Sequence, residues 1–364
     1  MNTSAPTPAN AKSTGLEGVV VADTRLSDVD GERGRLIIAG HDVESLATRA
    51  TFEGVCALLW GRDDAAVRMA LGRGRARAWS KRAGLGDALE ATDGMEALRA
   101  ATAHLRSSEF PDDADIAGAV AVFASAWARR REGLAPVAPD ERLGHAADLL
   151  RMSVGRTPDP ARIAGVDAYL VTVSDHGMNA STFAARVVAS TASDTVSAIV
   201  AALGALKGPL HGGAPGPVLD MLDAIAVPEG AAAWLEGELN AGRRIMGMGH
   251  RVYRVRDPRA AVLERALLRL EQAGVSTPRV ALARAVEQAA VGVLRARHPT
   301  RPLLANVEFY TAVLLDALGF PRALFTPIFA VARTAGWCAH IAEQRATGRL
   351  IRPASRYTGA APPA

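Results

Sequence analysis

The sequence is poor in cysteine and in aromatic residues, and each shortage excludes a class of protein. Only two of its 364 residues are cysteines, and Cys56 and Cys338 both lie in apolar stretches. They do not provide a disulfide framework or a cysteine-based metal site, so we expect two buried free thiols in a reducing cytosol. Aromatic residues make up only 5% of the chain. That is too few for the stacking platform of a protein that binds single-stranded nucleic acid.

Lysine is almost absent as well, although the chain is basic. The formal net charge is +4, and among the 42 basic residues only Lys12, Lys81 and Lys207 are lysines. No block of five like charges occurs, and the densest basic run, residues 129–131, is typical of a solvated helix end. The abundance of arginine is therefore a bias of the whole composition. A basic nucleic-acid binder predicts a patch rich in lysine and aromatic residues, which this sequence lacks.

Long apolar runs are missing too. No stretch approaches the roughly 18 to 20 consecutive apolar residues that cross a bilayer, so we expect no membrane partner. Residues 1–15 are small and polar, which is typical of a flexible leader. Together with the free thiols, these features predict a cytoplasmic protein.

What the sequence does contain is the composition of a large helical core. Hydrophobic residues are 49% and charged residues 22% of the chain, which suits a length of two or three domains. One helix is predicted to begin with Thr277 as N-cap and Pro278 at the first helical position. Residues 82–116 show no clear pattern. Helical spacing of apolar residues covers residues 52–60, 117–129, 142–152, 161–173, 180–190, 195–206, 217–226, 230–241, 257–273, 305–318 and 328–346.

Strand signals are confined to the N-terminal part of the chain. Short β-branched runs at residues 19–21 and 36–38 flank a turn-rich stretch at 27–31. This pattern predicts one small pair of strands. The fold class expected from the sequence is therefore mostly α, with a short N-terminal β segment.

Three of the eight histidines occupy unusual positions, each in a break rich in glycine or beside a helix end. His211 lies in the segment GPLHGGAPG at 208–216, His176 in SDHGMNAS at 174–181, and His250 in GMGHR at 247–251. Spacings of 35 and 39 residues, with no cysteine or carboxylate cluster nearby, give no metal-ligand motif, so no metal site is predicted. Histidines at loop–helix junctions favour general acid–base or carbonyl-polarising roles.

Two further features carry charge into apolar or glycine-rich surroundings. Four arginines follow His250 within nine positions, the last of them Arg259; arginine grips carboxylates and phosphates, but a solvated loop in an arginine-rich chain remains an alternative. Glu308 lies in an otherwise apolar helix. One possibility is that this carboxylate is buried, in which case it has a charged partner or a raised pKa. The other is that it faces solvent on an amphipathic helix.

Five segments, taken together and in order, resemble the citrate synthase family. The resemblance covers most of residues 16–357. The matching segments are residues 18–47 (GVVVADTRLSDVDGERGRLIIAGHDVESLA), 174–190 (SDHGMNASTFAARVVAS), 208–214 (GPLHGGA), 247–259 (GMGHRVYRVRDPR) and 306–357 (NVEFYTAVLL through RTAGWCAHIAEQ to RLIRPASRY).

The resemblance implies a condensation of acetyl-CoA with oxaloacetate and water that gives citrate and CoA, the reaction of the tricarboxylic acid cycle. It implies three catalytic residues: Glu308 as the base for the methyl proton, His211 as the donor to the thioester oxygen, and His250 as the donor to the ketone. The binding residues that it implies are His176, Arg259, Arg333 and, across a dimer, Arg352 for oxaloacetate, with Arg254, Gly247 and Gly249 for CoA.

The resemblance also implies an architecture. A large dimerisation domain is expected over residues 16–212 and 320–364, and a small domain that closes over the substrates and binds CoA over residues 213–319. A homodimer is expected, with no cofactor beyond the substrates. Closure of such a site would keep an enol intermediate from water.

One position departs from the family pattern, because Glu308 stands where the family usually has aspartate. The additional methylene moves the carboxylate outward, and a misplacement of about 1 Å can cost on the order of 100-fold in rate. Since every other motif residue is present, we favour a compensated geometry. Two alternatives remain: a 2-methylcitrate synthase that uses propionyl-CoA with the same residues, and a catalytically weak relative with a regulatory role. One methylene in a pocket is worth only about 1–3 kcal/mol, so the first alternative can coexist with the main reading.

Overall fold

A computed structural model describes residues 15–16, 18–155, 157, 159–212 and 215–360, with only the backbone of Pro215. Except for Gly15, the predicted flexible leader lies outside the described residues. Residues 213–214, at the start of the predicted small domain, also lie outside them.

The described part of the chain folds into fifteen α-helices and one small sheet, so the mostly α prediction is confirmed. The helices are α1 (Val43–Arg49), α2 (Phe52–Trp60), α3 (Asp64–Lys81), α4 (Gly94–Ala103), α5 (Asp113–Arg131), α6 (His145–Val154), α7 (Pro160–Val173), α8 (Ala180–Ser190), α9 (Thr195–Lys207), α10 (Pro215–Ile225), α11 (Ala231–Asn240), α12 (Pro258–Gln272), α13 (Arg279–Arg297), α14 (Val307–Leu318) and α15 (Phe325–Thr347). No helix of this described part is long and apolar enough to cross a membrane.

The sheet differs from the sequence prediction. Its antiparallel strands, in the order β1-β2-β3, are β1 (Ser27–Asp30), β2 (Arg35–Ile38) and β3 (His41–Asp42). The prediction of a strand at 19–21 is wrong: these residues are unpaired, and Val20 is 83% exposed. The stretch predicted as a turn supplies β1 instead, with Ser27 opposite Ile38. Of that stretch, Gly31 lies in the turn after β1, and the Asp30 carboxylate supports this turn by accepting the backbone N–H groups of residues 32 and 33.

Two helix predictions also need correction. The helix predicted to start at Thr277 and Pro278 begins at Arg279, with Pro278 as N-cap. The Thr277 hydroxyl donates to the Glu271 carboxylate, 2.8 Å away, so it does not cap the helix. The unpatterned stretch 82–116 contains α4, whose N-cap is Asp93. An aspartate followed three residues later by Glu96 was an available sequence signal for that helix start.

Two buried helices, α5 and α15, form the centre of the molecule. Helix α5 packs against α3, α4, α6 and α15, and α15 also contacts α2, α7, α8 and α9. Cys56 and Cys338 are free and buried in this core, which confirms that prediction. Gly336 of α15 lets the end of α7 approach: a Cβ there would lie 2.5 Å from the Ser174 carbonyl oxygen. The core helix therefore supports the turn that carries His176 directly.

Candidate active site

His176 lies in the turn between α7 and α8. Asn179 caps α8 by accepting the N–H groups of Ser181 and Thr182, both at 3.1 Å. Nε2 of His176 is 3.1 Å from the Tyr253 hydroxyl. Burial and the charge of Arg259 hold the pKa of His176 well below its usual value, so the ring is neutral at pH 7.

His250 lies in a loop held against the start of α14. Met248 and Ala305 form an antiparallel bridge, and Gly249 N–H donates to the Leu304 carbonyl at 2.7 Å. Gly247 and Gly249 both have positive φ, +72° and +82°. A Cβ on Gly247 would also lie 2.9 Å from Phe309 Cβ. Glycine at these positions is thus required by the packing of the loop itself.

The hydrogen bonds of His250 fix which nitrogen carries the proton. Nδ1 accepts the backbone N–H groups of Val252 and Tyr253, at 3.0 and 3.1 Å. In the neutral ring, Nε2 therefore carries the hydrogen. Burial, with a smaller effect of Arg259, lowers the pKa of His250 to about 4. Nε2 lies 3.3 Å from Arg259 Nη2, so two donors converge on one point that suits an acceptor of the substrate.

The two buried arginines differ in their partners. Arg259 pairs with Asp257 at 2.7 Å, and Asp257 also accepts the Val307 N–H at 3.1 Å. Arg333, on α15, is 1% exposed. Its Nε donates to the Val173 carbonyl at 2.7 Å, but among the described residues it has no ion pair. Burial lowers its pKa to about 10. A buried cation without an ion pair is costly unless an anion joins it, so Arg333 is a candidate anion-binding residue.

His211 follows α9 in a turn and lies beside the first residues of α8. Its Nε2 accepts the Ser181 backbone N–H at 3.2 Å and is 2.8 Å from the Ser181 hydroxyl. The neutral ring therefore carries its hydrogen on Nδ1. Burial and the nearby Arg333 lower the pKa of His211 to about 4. His211 is thus a neutral donor whose ring is held by Ser181, at the start of α8. The turn that carries His176 leads into the same helix.

Glu308 lies in the first turn of α14, whose N-cap is Asn306. Its side chain is partly buried, and its carboxylate accepts no hydrogen bond from the described residues. Burial raises the pKa of Glu308 to about 7, while Arg259 opposes the rise. The sequence alternative in which Glu308 is an ordinary solvent-facing carboxylate is therefore wrong. A carboxyl group with a pKa near 7 suits proton transfer at neutral pH.

The fold brings six of the predicted site residues into one cluster: His176, His211, His250, Arg259, Glu308 and Arg333. The rings of His176 and His250 meet edge to face, with centroids 5.6 Å apart. Arg254 and Arg352 do not join the cluster within one chain. Both are exposed, and Arg352 lies in the C-terminal segment whose Ile351 N–H donates to Ser190, at 3.0 Å.

Sequence reasoning missed three residues that hold this cluster in place. Tyr253 contacts both His176 and His250, Ser181 binds His211, and Asp257 binds Arg259. Tyr253 had a local signal, since it is the aromatic residue of the arginine-rich loop. Ser181 and Asp257 lie at the starts of α8 and α12, where residues of these types are common, and only contacts with other segments give them a further role.

Comparison with known proteins assigns the chain to a family. The model of the citrate synthase C-terminal domain matches residues 15–354. The chain belongs to the citrate synthase family. A citrate synthase of Thermoplasma acidophilum, solved as a ternary complex with carboxymethyl coenzyme A and oxaloacetate, aligns with a TM-score of 0.87, 28% identity and 98% coverage of each chain.

Curated citrate synthase relatives match over nearly the whole chain. Putative citrate synthase 2 of Mycobacterium tuberculosis is 39% identical over 357 residues, which cover 96% of this chain and 93% of the relative. The 2-methylcitrate synthase of the same species is 39% identical over 364 residues, with 95% and 90% coverage. The all-α citrate synthase fold and a citrate synthase-type acyltransferase are thus established. Among the described residues no group of histidine, cysteine and carboxylate side chains could hold a metal ion.

Proposed function

We propose that this enzyme condenses acetyl-CoA with oxaloacetate and water to give citrate and CoA. The observation that carries the proposal is the placement of two neutral histidine donors and a carboxyl group of raised pKa beside two buried arginines. His250 and Glu308 lie near Arg259, and His211 lies near Arg333, which has no ion pair among the described residues. A dianionic keto acid supplies the missing negative charge. The related Thermoplasma enzyme was solved with oxaloacetate and a CoA derivative, which supports the same pair of substrates here.

Oxaloacetate is assigned to the cluster formed by Arg259 of α12, Arg333 of α15 and the nearby histidines. Arg333 provides a cation with no ion pair among the described residues, and Arg259 provides a second whose Nη2 lies 3.3 Å from His250 Nε2. His176 is the further ligand, and Arg352 is proposed to enter from the partner subunit of a homodimer. Charge-assisted hydrogen bonds of this kind are each worth about 1.5–3 kcal/mol.

His250 is assigned to the ketone. Because Nδ1 is occupied by two backbone N–H groups, Nε2–H is the donor available to the ketone oxygen. It polarises the carbonyl carbon for attack and then gives its proton to the alkoxide that forms. The two N–H groups on Nδ1 disfavour a positive ring, and they stabilise the negative charge left on the ring when Nε2 gives its proton to the alkoxide.

Glu308 and His211 are assigned to the acyl-CoA. Glu308 removes a proton from the methyl carbon, and Nδ1–H of His211 donates to the thioester oxygen as the enolate forms. Loss of one such donor typically costs about 2.7–4 kcal/mol. A base whose pKa is about 7 is stronger than an ordinary carboxylate, which helps with a weakly acidic C–H.

The remaining assignments concern CoA and closure. We assign Arg254 to the CoA phosphates and the backbone at Gly247 and Gly249 to the adenine. Residues 213–319 are proposed to close as a small domain on the large domain, 16–212 and 320–364. The chemistry uses no group beyond the side chains and the substrates. The two free thiols support a reducing compartment, for which we propose the cytoplasm.

Propionyl-CoA is a second candidate acyl donor, and the comparisons are consistent with it. The 2-methylcitrate synthase of Mycobacterium tuberculosis is as similar to this chain, at 39% identity, as the relative named for citrate synthesis. Both reactions use the same catalytic groups. The acyl pocket decides between them, by about 1–3 kcal/mol for one methylene.

Thiol release tests both reactions. Purified enzyme is mixed with oxaloacetate and either acetyl-CoA or propionyl-CoA, and free CoA is followed with a thiol reagent. We expect release with acetyl-CoA, at a higher kcat/KM than with propionyl-CoA. A higher value with propionyl-CoA would reassign the enzyme as a 2-methylcitrate synthase. Absence of release with both donors would refute each reaction and leave the catalytically weak relative.

A further inference from the structure

The β1–β2 hairpin contacts both segments that carry the oxaloacetate histidines. Its base lies against the turn of His176, and its tip lies against the loop of His250. Neither contact belongs to the proposed chemistry, and the hairpin supplies no catalytic side chain. It does join the His176 turn to the His250 loop, and the catalytic cluster requires these two segments to keep a fixed relative position.

The base of the hairpin is joined to the His176 turn through Ser27. The Ser27 hydroxyl hydrogen-bonds the buried carboxylate of Asp175 and accepts the Gly177 N–H at 3.0 Å. Asp175 also pairs with His340 of α15, 3.3 Å away. Asp175 and Gly177 flank His176, so the hairpin and the core helix fix this turn from two sides.

The tip of the hairpin is packed backbone to backbone on the His250 loop. The Gly31 carbonyl accepts the Arg254 N–H at 2.9 Å. A Cβ on Gly31 would lie 2.4 Å from the Val252 carbonyl oxygen, and one on Gly34 would lie 2.4 Å from Val255 Cγ2. The N–H of Val252 is one of the two that bind Nδ1 of His250. A shift of the hairpin tip would therefore move Val252 and, through its N–H group, the ring of His250.

We propose that the hairpin is a clasp that positions the His250 loop against the His176 turn, with Gly31 as its positioning residue. This inference rests on the proposed function. The predicted domains place the hairpin and His176 in the large domain and His250 in the small one. The bond from Arg254 to Gly31 then spans the cleft that closes on oxaloacetate, and it stabilises the form in which the two histidine rings meet.

Gly31→Ala tests the clasp directly. The backbone of Gly31 has no positive φ, so alanine is acceptable except for the clash with Val252. We expect kcat/KM for oxaloacetate to fall about 10- to 100-fold, by analogy with the cost of a misplacement of about 1 Å. Most of the loss should appear in KM, because the clasp favours the substrate-binding arrangement. A kcat/KM within twofold of the wild type would overturn the proposal.

Gly72→Ala is the matched control. Gly72 lies in α3, away from the cluster, and a Cβ there would lie 2.4 Å from the Glu141 carbonyl oxygen. It therefore introduces a clash of the same size with the same kind of atom. We expect a lower melting temperature and an unchanged KM for oxaloacetate. If Gly72→Ala raises KM as much as Gly31→Ala does, the effect is general destabilisation and the clasp is refuted.

Hydrogen exchange provides a measurement that does not depend on any variant folding. In the wild type we expect the Arg254 amide to be protected, and oxaloacetate to slow its exchange at least tenfold further. An Arg254 amide that exchanges freely with and without oxaloacetate would overturn the clasp. The two proposals fail differently: no thiol release by the wild type refutes the proposed reaction, whereas an active wild type with an unaltered Gly31→Ala variant refutes only the clasp.

Discussion

Replacing Glu308 with glutamine should abolish turnover and at the same time stabilise the folded protein. Burial raises the pKa of this carboxyl group from 4.5 to about 7. At about 1.4 kcal/mol for each pH unit, keeping Glu308 ionised in the folded state costs about 3 kcal/mol. Glutamine has nearly the same shape and no charge, so the variant avoids this cost but cannot accept the methyl proton.

The sign of the effect follows from proton binding. Between pH 4.5 and about 7 the folded state holds the Glu308 proton more tightly than the unfolded chain does. The destabilisation is therefore absent below pH 4.5, grows through this range and is complete above about 7. At pH 8, a gain of about 3 kcal/mol in the free energy of unfolding, divided by the unfolding entropy expected for a chain of this length, gives a melting temperature about 4 °C higher for Glu308→Gln. At pH 4.5 the two proteins should melt together.

The assay pairs thermal melting at pH 4.5 and 8 with thiol release. In the wild type, kcat/KM for the acyl-CoA should fall about tenfold for each pH unit below about 7, because the base must be deprotonated. Glu308→Asp is the control, since it retains a carboxylate and shortens the side chain, and it should retain part of the turnover. Retained turnover in Glu308→Gln would remove Glu308 as the base. A lower melting temperature at pH 8 would show that its carboxylate stabilises the fold and refute the reasoning from burial.

Three further predictions concern buried or exposed charge. Arg333→Met should weaken oxaloacetate binding about 10- to 100-fold, as expected for a lost charge-assisted bond, without lowering the melting temperature of the free protein; calorimetry and melting curves measure both, and unchanged affinity would contradict the assignment. Subunits with Arg352→Ala and subunits with His250→Ala, each nearly inactive alone, should regain thiol release when mixed; verified mixed dimers without activity would exclude the cross-subunit role. Asp148→Ala removes the ion-pair partner of the fully buried Arg75, 2.7 Å away. It should lower the free energy of unfolding in urea by about 3–5 kcal/mol and leave KM unchanged. A loss below about 1 kcal/mol would show that Arg75 finds another partner.

Helices were predictable where their signals are local. Residues 52–60 and 180–190 form helices with the predicted bounds, because apolar spacing and a threonine or asparagine N-cap act within a few residues. The N-terminal strands were not predictable in the same way. The β-branched run at 19–21 has no partner, whereas Ser27–Asp30 pairs with β2. Strand formation depends on the neighbouring strand, which a single run of residues does not reveal.

The sequence by itself determined the kind of chemistry, because residue types and the order of motifs are local properties. Histidines in glycine-rich breaks, an arginine-rich loop and a carboxylate at a helix start were all recognisable, and five of these residues meet, together with Arg333, which only the family resemblance indicated. Only the tertiary structure decided how each of them behaves. The proton position on His211 depends on the backbone N–H of Ser181, which belongs to another segment, and that on His250 depends on the turn its own loop makes. The raised pKa of Glu308 and the lowered pKa of Arg333 depend on burial, which arises only when distant helices pack together.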